Sequence, residues 1–129
     1  MNFWGKISKV LLSFGESPAE RKIKESTIEN WYLHLSEEDR KFFPDKSAFE
    51  KGFRDVPVRK VDLAFQIYQK EANGQMEKEP LSSSDKTLVE NAYLAGYHQA
   101  KEEWKWSKDE ACKRGDQVAW FALHIYRYC

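Results

Sequence analysis

Apolar residues recur at helical spacing along most of the chain, at every third or fourth position. Over residues 2–14, the side chains of Phe3, Ile7, Leu11 and Phe14 fall on one face, which predicts an amphipathic helix. The polar face of this helix carries only two lysines, whereas helices that lie on membranes usually have a strongly basic face. We therefore expect the helix to pack on the core.

A clear start signal opens the second predicted helix. Ser17 can cap it, Pro18 suits its first turn, and Glu20 completes a capping box. The helix is expected to run to about Leu35. The apolar residues that it is expected to bury are Ile23, Ile28, Trp31, Tyr32 and Leu35.

Two short helices and a longer one are predicted next. Ser36 begins a helix that ends near Phe43, and Asp45 or Ser47 begins another turn or two that carries two phenylalanines. A longer amphipathic helix follows Asp55. Its apolar face carries Val61, Phe65, Tyr68 and Ala72.

Asn73-Gly74 is predicted to end this helix. Residues 74–84 are linker-like, because they mix Gly, Pro, Ser and charge without a hydrophobic period. Beyond them, Ser84 is predicted to cap a long helix that reaches Trp104, and residues 113–116 are predicted to form a turn.

The last segment, residues 118–128, is apolar almost all round. Such a helix belongs in the middle of a bundle or against a partner. Two alanines and a leucine favour a helix here, although the β-propensity of the segment leaves a strand open. The predicted fold is a compact all-α bundle of five to seven helices, formed by residues 1–129 as a single domain with a mobile connection near residues 74–84.

One short pattern, Ala-aromatic-x-x-Gly-aromatic, occurs twice, at residues 48–53 and 92–97. Because glycine inside a helix costs about 1 kcal/mol relative to alanine, its use here predicts a close approach between helices. The residues expected at such crossings are Gly52, Gly96, Ala92 and Ala100. A groove that takes a partner helix is the alternative. The pattern resembles segments of short helical proteins encoded by bacteriophages; the resemblance identifies no family, but it leaves a phage-encoded accessory protein as one interpretation.

The charges balance, with 21 Lys and Arg against 21 Asp and Glu. This balance argues against a strongly basic nucleic-acid module, whose affinity comes largely from neutralised phosphates. No run approaches the roughly 18 apolar residues of a membrane span. A cytoplasmic location is expected, and in a cytoplasmic chain the two cysteines, Cys112 and Cys129, are expected to be free thiols.

No motif for phosphate binding, nucleophilic catalysis or metal binding occurs in the sequence. His98, Cys112, His124 and Cys129 form a Cys2His2 set by type, but they lack the close ligand pair that structural zinc sites contain. We therefore expect no metal, no cofactor and no enzymatic activity. A small enzyme that uses Cys112, or the pair of His98 and Glu102, stays an alternative.

Another alternative is a nucleic-acid-binding accessory protein. Lys101, Lys105 and Lys108 share one side of the predicted helix, near Trp104 and Trp106. Basic and aromatic side chains together can hold single-stranded nucleic acid. Interleaved acidic residues, however, keep the local field near neutral.

Aromatic residues make up 15% of the chain, and their spacing indicates that they cannot all be buried in the core. Two positions on a helix are about 200° apart, so Trp104 and Trp106 cannot face the same core unless the helix ends there. Trp, Tyr and Arg dominate the hot spots of protein interfaces. The predicted partner-binding surface is Trp104, Trp106, Tyr126, Arg127 and Tyr128.

The predicted function is that of a small cytosolic protein-binding module: an adaptor, an inhibitor or an immunity-type accessory protein. A protein partner is expected, and a homo-oligomer stays open. The opposite interpretation is that the helices break near these aromatic residues and every ring is buried.

Overall fold

The computed structural model describes residues 16–128. Within that range the chain is all-helical and contains no strand. The α-helices are α1 (Pro18–Leu33), α2 (Glu37–Arg40), α3 (Lys46–Gly52), α4 (Val58–Ala72), α5 (Ser83–His98) and α6 (Lys108–His124). A π-helical turn, Gln99–Glu103, continues α5, and a 3-10 turn, Tyr126–Tyr128, follows α6. The predicted all-α fold is confirmed, while the helix expected at residues 2–14 lies outside the described residues.

Serine side chains start most of the helices. The Ser17 hydroxyl accepts from the backbone N–H of Glu20, and the Glu20 carboxylate accepts from the N–H of Ser17, which is the expected capping box. Helix α5 starts in the same way, but its cap is Ser82 and not Ser84. The reason is that Asp85, three residues after Ser82, completes the reciprocal pair.

The turn predicted at residues 113–116 is wrong, because Lys108–His124 is one continuous helix. Gly115 lies buried inside it, where an added Cβ would come within 2.8 Å of the Tyr93 ring. This glycine therefore allows two helices to approach and does not end one. The strand alternative for residues 118–128 is also wrong, since this segment contains the second half of α6 and the 3-10 turn.

Helix α1 buries a narrower face than the sequence indicates. Ile28, Trp31 and Leu35 are buried as expected, but Ile23 is 58% exposed. The position one turn before Ile28 on the buried face belongs to Lys24, whose side chain is almost fully covered. The prediction that Ile23 is buried is therefore wrong, because the neighbouring residue, Lys24, occupies the buried position.

Aromatic rings fill the main core, and Trp31 lies at its centre with no exposed surface. The Trp31 ring stacks on Phe65, with centroids 5.3 Å apart and planes at 24°. Trp120 of α6 lies 5.8 Å from Trp31 and packs edge-on against Phe43. The apolar end of α6 thus closes a core that α1, α3, α4 and the connections between the first four helices supply.

A second, smaller cluster joins α5 to α6 through Ala92, Val118 and Ala122. Tyr126 packs against both clusters, so the two halves of the chain share one packed interior. None of the helices within residues 16–128 is long and apolar enough to cross a lipid bilayer.

Candidate partner-binding site

The connection between α5 and α6, residues 99–107, is a tight elbow. Its first part is the π-helical turn, which widens the end of α5. The backbone N–H of Trp104 then donates to the carbonyl of Gln99 across 3.2 Å, and that of Trp106 donates to the carbonyl of Ala100 across 2.9 Å. Both tryptophans are therefore fixed through their backbone.

Lys105, between the two tryptophans, adopts a left-handed backbone conformation with φ of 59°. Among the described residues it is the only one besides glycine with a positive φ. This conformation costs about 1–2 kcal/mol for a residue with a side chain. Ser107 then caps α6 by accepting from the N–H of Glu110, so the chain turns from one helix into the next within four residues.

The indole rings of Trp104 and Trp106 meet on the outside of this elbow. Their centroids are 4.9 Å apart, and their planes make an angle of 51°. Each residue is 42% exposed. On a continuous helix the two rings would point in different directions; the end of the π-helical turn and the left-handed Lys105 bring them together.

Arg114 of α6 lies beside the pair. Its guanidinium carbon is 5.5 Å from the centroid of the Trp104 ring, which is the distance of a cation–π contact. Burial of this side chain lowers the pKa of Arg114 below its ordinary value, although an arginine stays charged under all physiological conditions. The sequence did not single out Arg114, because ten positions separate it from Trp104 and only the elbow brings them together.

Charges of both signs surround the rings. All residues from 101 to 110 are exposed, and they carry three lysines and four carboxylates, a net charge of −1. The prediction that Lys101, Lys105 and Lys108 share one helical side is wrong. They lie in the π-helical turn, in the left-handed position and at the start of α6, respectively.

The structure does not bring the C-terminal residues of the predicted surface to the elbow. Tyr126, Arg127 and Tyr128 follow the far end of α6, a helix of 17 residues and therefore about 25 Å long. The Arg127 side chain is only 6% exposed and pairs with Asp85 at 3.4 Å and with Glu79 at 4.0 Å. These contacts hold the connection between α4 and α5 in place.

The two tyrosines beside Arg127 also make internal contacts. The Tyr126 hydroxyl donates to the carbonyl of Gly52 across 3.5 Å. The carbonyl of Tyr128 accepts from Nζ of Lys60 across 3.4 Å. The ring of Tyr128 lies under the guanidinium of Arg127. Of the five predicted residues, only Trp104 and Trp106 therefore form an exposed pair.

The small residues predicted at helix crossings lie at close approaches. A Cβ at Gly96 would lie 2.7 Å from Val118 and 3.0 Å from the Arg114 carbonyl, so α5 and α6 touch there. Ala92 and Ala100, one turn to either side on the same face, have no exposed surface. Gly52 differs, because its Cβ would overlap the ring of Phe121 and not the backbone of a helix.

The residues considered for catalysis form two separate pairs, His98 with Glu102 and Cys112 with Tyr93. His98 Nδ1 is 3.5 Å from Glu102 Oε1, and both side chains are exposed. Cys112 forms a hydrogen bond with Tyr93, which together with burial raises the pKa of Tyr93 to about 12. Within residues 16–128, no group of three His, Cys, Asp or Glu side chains could hold a metal ion. Cys129 lies outside the described residues.

His124 is a buried histidine that packs on aromatic rings. Its ring centroid is 4.4 Å from that of Trp120 and 5.6 Å from that of Tyr68. Burial lowers the pKa of His124 to about 4; the charge of Asp39 raises it, and those of Lys78 and Arg127 lower it. This histidine is therefore uncharged at neutral pH, and its ring packs in the aromatic core.

A cavity of about 570 Å³ lies between α1 and the end of α3. Ile28 and Phe53 contribute apolar surface to it. Nζ of Lys24, also in its wall, pairs with Glu16 Oε1 at 3.2 Å and donates to the carbonyl of Arg54 at 3.2 Å. The buried cation of the cavity is thus already neutralised by a carboxylate of the same chain.

Comparison with known proteins gives no assignment: the chain matches no family model, no curated protein and no solved structure at a significant level. The elbow is therefore interpreted from its own geometry.

Proposed function

We propose that this protein is a binding module that contacts another protein through the elbow, with Trp104 and Trp106 as the central contacts. The observation that carries the proposal is the pair of indole rings that touch each other while both stay 42% exposed. Exposed apolar surface on a folded protein often marks an interaction site, and tryptophan is enriched among the residues that dominate binding energy. A small cytosolic adaptor, inhibitor or immunity-type accessory protein would act in this way.

The backbone of the elbow supports this proposal. The backbone N–H groups of both tryptophans already donate to carbonyls of the preceding turn, and the Ser107 cap fixes the start of α6. A backbone that is fixed before binding loses less conformational entropy when a partner arrives. The left-handed Lys105 is a backbone strain of the kind that tends to be kept at functional sites.

The charges near the rings favour a protein over a nucleic acid. Nucleic-acid affinity depends on cations that neutralise several phosphates, and its salt dependence follows from their number. The exposed stretch from residue 101 to residue 110 has a net charge of −1, so its carboxylates would repel a phosphate backbone. Nucleic-acid binding is accordingly the competing outcome of the test.

The test is a capture from a lysate of the source organism, carried out with and without nuclease, eluted at low and at high salt and analysed by mass spectrometry. The wild type is compared with Trp106→Ala and with Leu94→Ala, which removes an equally exposed apolar side chain from α5. We expect the same protein to be retained at both salt concentrations by the wild type and by Leu94→Ala, and lost by Trp106→Ala. Equal retention by all three, or recovery only without nuclease and at low salt, contradicts the proposal.

A further inference from the structure

Several features of the elbow raise its free energy, and all of them lie where α5 ends. We infer that the elbow has two states: the π-helical turn Gln99–Glu103 rewinds into α-helix, and this turns Trp104 away from Trp106 and towards α6. The conformation described above is called the paired state, and the other the rewound state. Both states exist without a partner, and only their control of binding rests on the proposed function.

Helix α5 presents a stripe of small residues to α6. Ala92, Gly96 and Ala100 recur every four residues, and all three are buried. Because residues four apart lie on the same face of an α-helix, the next position of this stripe is Trp104. If α5 continued as a regular α-helix, the indole ring of Trp104 would therefore point towards α6 and not outwards.

The π-helical turn takes Trp104 out of this stripe. The backbone N–H of Trp104 donates to the carbonyl of Gln99, five residues earlier, whereas an α-helix would use Ala100, four residues earlier. One extra residue in the turn rotates the following residue by about 100°. The carbonyl of Ala100 accepts from the N–H of Trp106 instead. The choice between two acceptors for one N–H thus decides whether Trp104 faces α6 or joins Trp106.

Three atoms or angles near this turn raise the free energy of the paired state. Lys105 has a left-handed backbone, which is unfavourable for any residue with a side chain. Gln99 Oε1 and Arg114 Nε are buried without a hydrogen-bond partner among the described residues, and such atoms are costly. Gln99 begins the π-helical turn and Arg114 contacts the ring of Trp104, so rewinding changes the surroundings of both.

Other contacts favour the paired state. The two indole rings touch, Arg114 lies over Trp104, and the N–H of Trp106 has its acceptor. Each of these contributions is of the same order as each cost, so neither state is strongly preferred. A partner that needs both rings together binds only the paired state, and its apparent affinity falls with the population of that state. The turn would therefore set the affinity of the proposed binding surface.

The experiment measures exchange between the two states by ¹⁵N relaxation dispersion on the full chain, through its backbone and indole N–H signals. Register shifts of helices occur within microseconds to milliseconds, the range that this method detects. We expect exchange at residues 99–107 and at the indoles of Trp104 and Trp106, and none at the indoles of Trp31 and Trp120. The two buried indoles also report whether each variant is folded.

Substitutions of Lys105 should shift the two populations in opposite directions. Glycine adopts the left-handed conformation freely, so Lys105→Gly is expected to lower the population of the rewound state about five- to tenfold. A β-branched residue is least compatible with that conformation, so Lys105→Val is expected to raise this population and to weaken the nuclear Overhauser contacts between Trp104 and Trp106. Lys78→Gly, in the connection between α4 and α5, is the matched control and should leave the exchange unchanged.

Absence of exchange in both the wild type and Lys105→Val overturns the inference, as does exchange that Lys105→Gly leaves unchanged. In the lysate capture, we expect Lys105→Val, which keeps both tryptophans, to retain less partner than the wild type and Lys78→Gly. If capture needs Trp106 and no exchange is found, the proposed function stands and the two states are wrong. If the exchange follows the variants but capture does not need Trp106, the two states stand and the proposed function is wrong.

Discussion

The Tyr68 hydroxyl donates a hydrogen bond of 2.6 Å to Oδ2 of Asp39 and thereby ties α4 to α2. The same hydroxyl accepts from the backbone N–H of Ser36. We expect Tyr68→Phe to lower the free energy of unfolding by about 2 kcal/mol, because a bond to a charged acceptor is lost and Ser36 loses its partner. Chemical denaturation measures this loss. Tyr97→Phe on α5 is the matched control, and an equal loss in that variant would show that the Asp39 bond is not the cause.

The neutral His124 makes stability depend on pH. Its pKa is lowered to about 4 in the folded chain, chiefly by burial, while Lys78 and Arg127 oppose its protonation and Asp39 favours it. Above about pH 6.5 the histidine is neutral in both states, so it adds no pH dependence there. As the pH falls from 6.5 towards 4, the unfolded chain binds a proton that the folded chain does not, and the free energy of unfolding drops by on the order of 3 kcal/mol.

Denaturation at pH 7 and at pH 4.5, for the wild type and for His124→Leu, tests this dependence. We expect His124→Leu to lose less stability on acidification than the wild type does. The same acid loss in both proteins would mean that other groups carry it.

The contact of α5 with α6 depends on the absence of a side chain at Gly96. Alanine there would bring a methyl group to 2.7 Å from Val118 and 3.0 Å from the Arg114 carbonyl. We expect Gly96→Ala to destabilise the protein by about 1–3 kcal/mol, although alanine is the better helix former. Asn91→Ala, on the exposed face of the same helix, is expected to be neutral or slightly stabilising. A thermal melt of both variants decides the matter, and a stabilised Gly96→Ala would refute the close approach.

Arg127 is expected to matter more than its place near the chain end indicates. Its side chain is almost fully covered and pairs with Asp85 and Glu79. We expect Arg127→Ala to lower the free energy of unfolding by about 2–4 kcal/mol, because the partly buried carboxylate of Asp85 loses its cationic partner and keeps only the N–H of Ser82. The exposed pair of Lys113 and Glu110 is the control, and Lys113→Ala should change stability by less than about 1 kcal/mol. Similar small effects in both variants would show that the Arg127 pairs are not structural.

Trp106 and Trp31 should separate binding from folding. Trp106 is half-exposed and belongs to neither core cluster, so Trp106→Ala is expected to change the free energy of unfolding by about 0.5 kcal/mol or less. Trp31 lies at the centre of the aromatic core, and Trp31→Ala is expected to lose about 3–5 kcal/mol. Paired denaturation curves measure both changes. A large loss in Trp106→Ala would make the elbow a part of the core.

The sequence predicted the helices where their signals are local. Capping residues such as Ser17 and Ser36 act within a single turn, so their role can be inferred without the rest of the fold. Gly115 predicts a turn because a glycine near charged residues is typical of a turn. Its actual neighbour, Tyr93, belongs to another helix, and no local signal indicates that contact.

The candidate site was predicted only in part for a similar reason. Helical spacing separates Trp104 and Trp106 only on a continuous helix, whereas the helical turn ends at Glu103 and the two exposed rings lie together. Their contact depends on the backbone angle of Lys105, which a lysine rarely adopts and which the sequence therefore does not predict. Arg127 is predicted as an interface residue from its residue type alone, because its partners, Asp85 and Glu79, lie more than forty positions away and give no local signal.

The connection between α4 and α5 joins the two halves of the chain. Arg127, beyond the far end of α6, donates a hydrogen bond to the carbonyl of Glu79 in this connection. Trp120 and Phe121, supplied by the second half, are packed inside the core of the first. A protease that cuts within residues 75–81 would therefore leave two fragments that stay bound to each other and keep the fold. We expect two pieces of the chain that are divided at this position to associate through the same core.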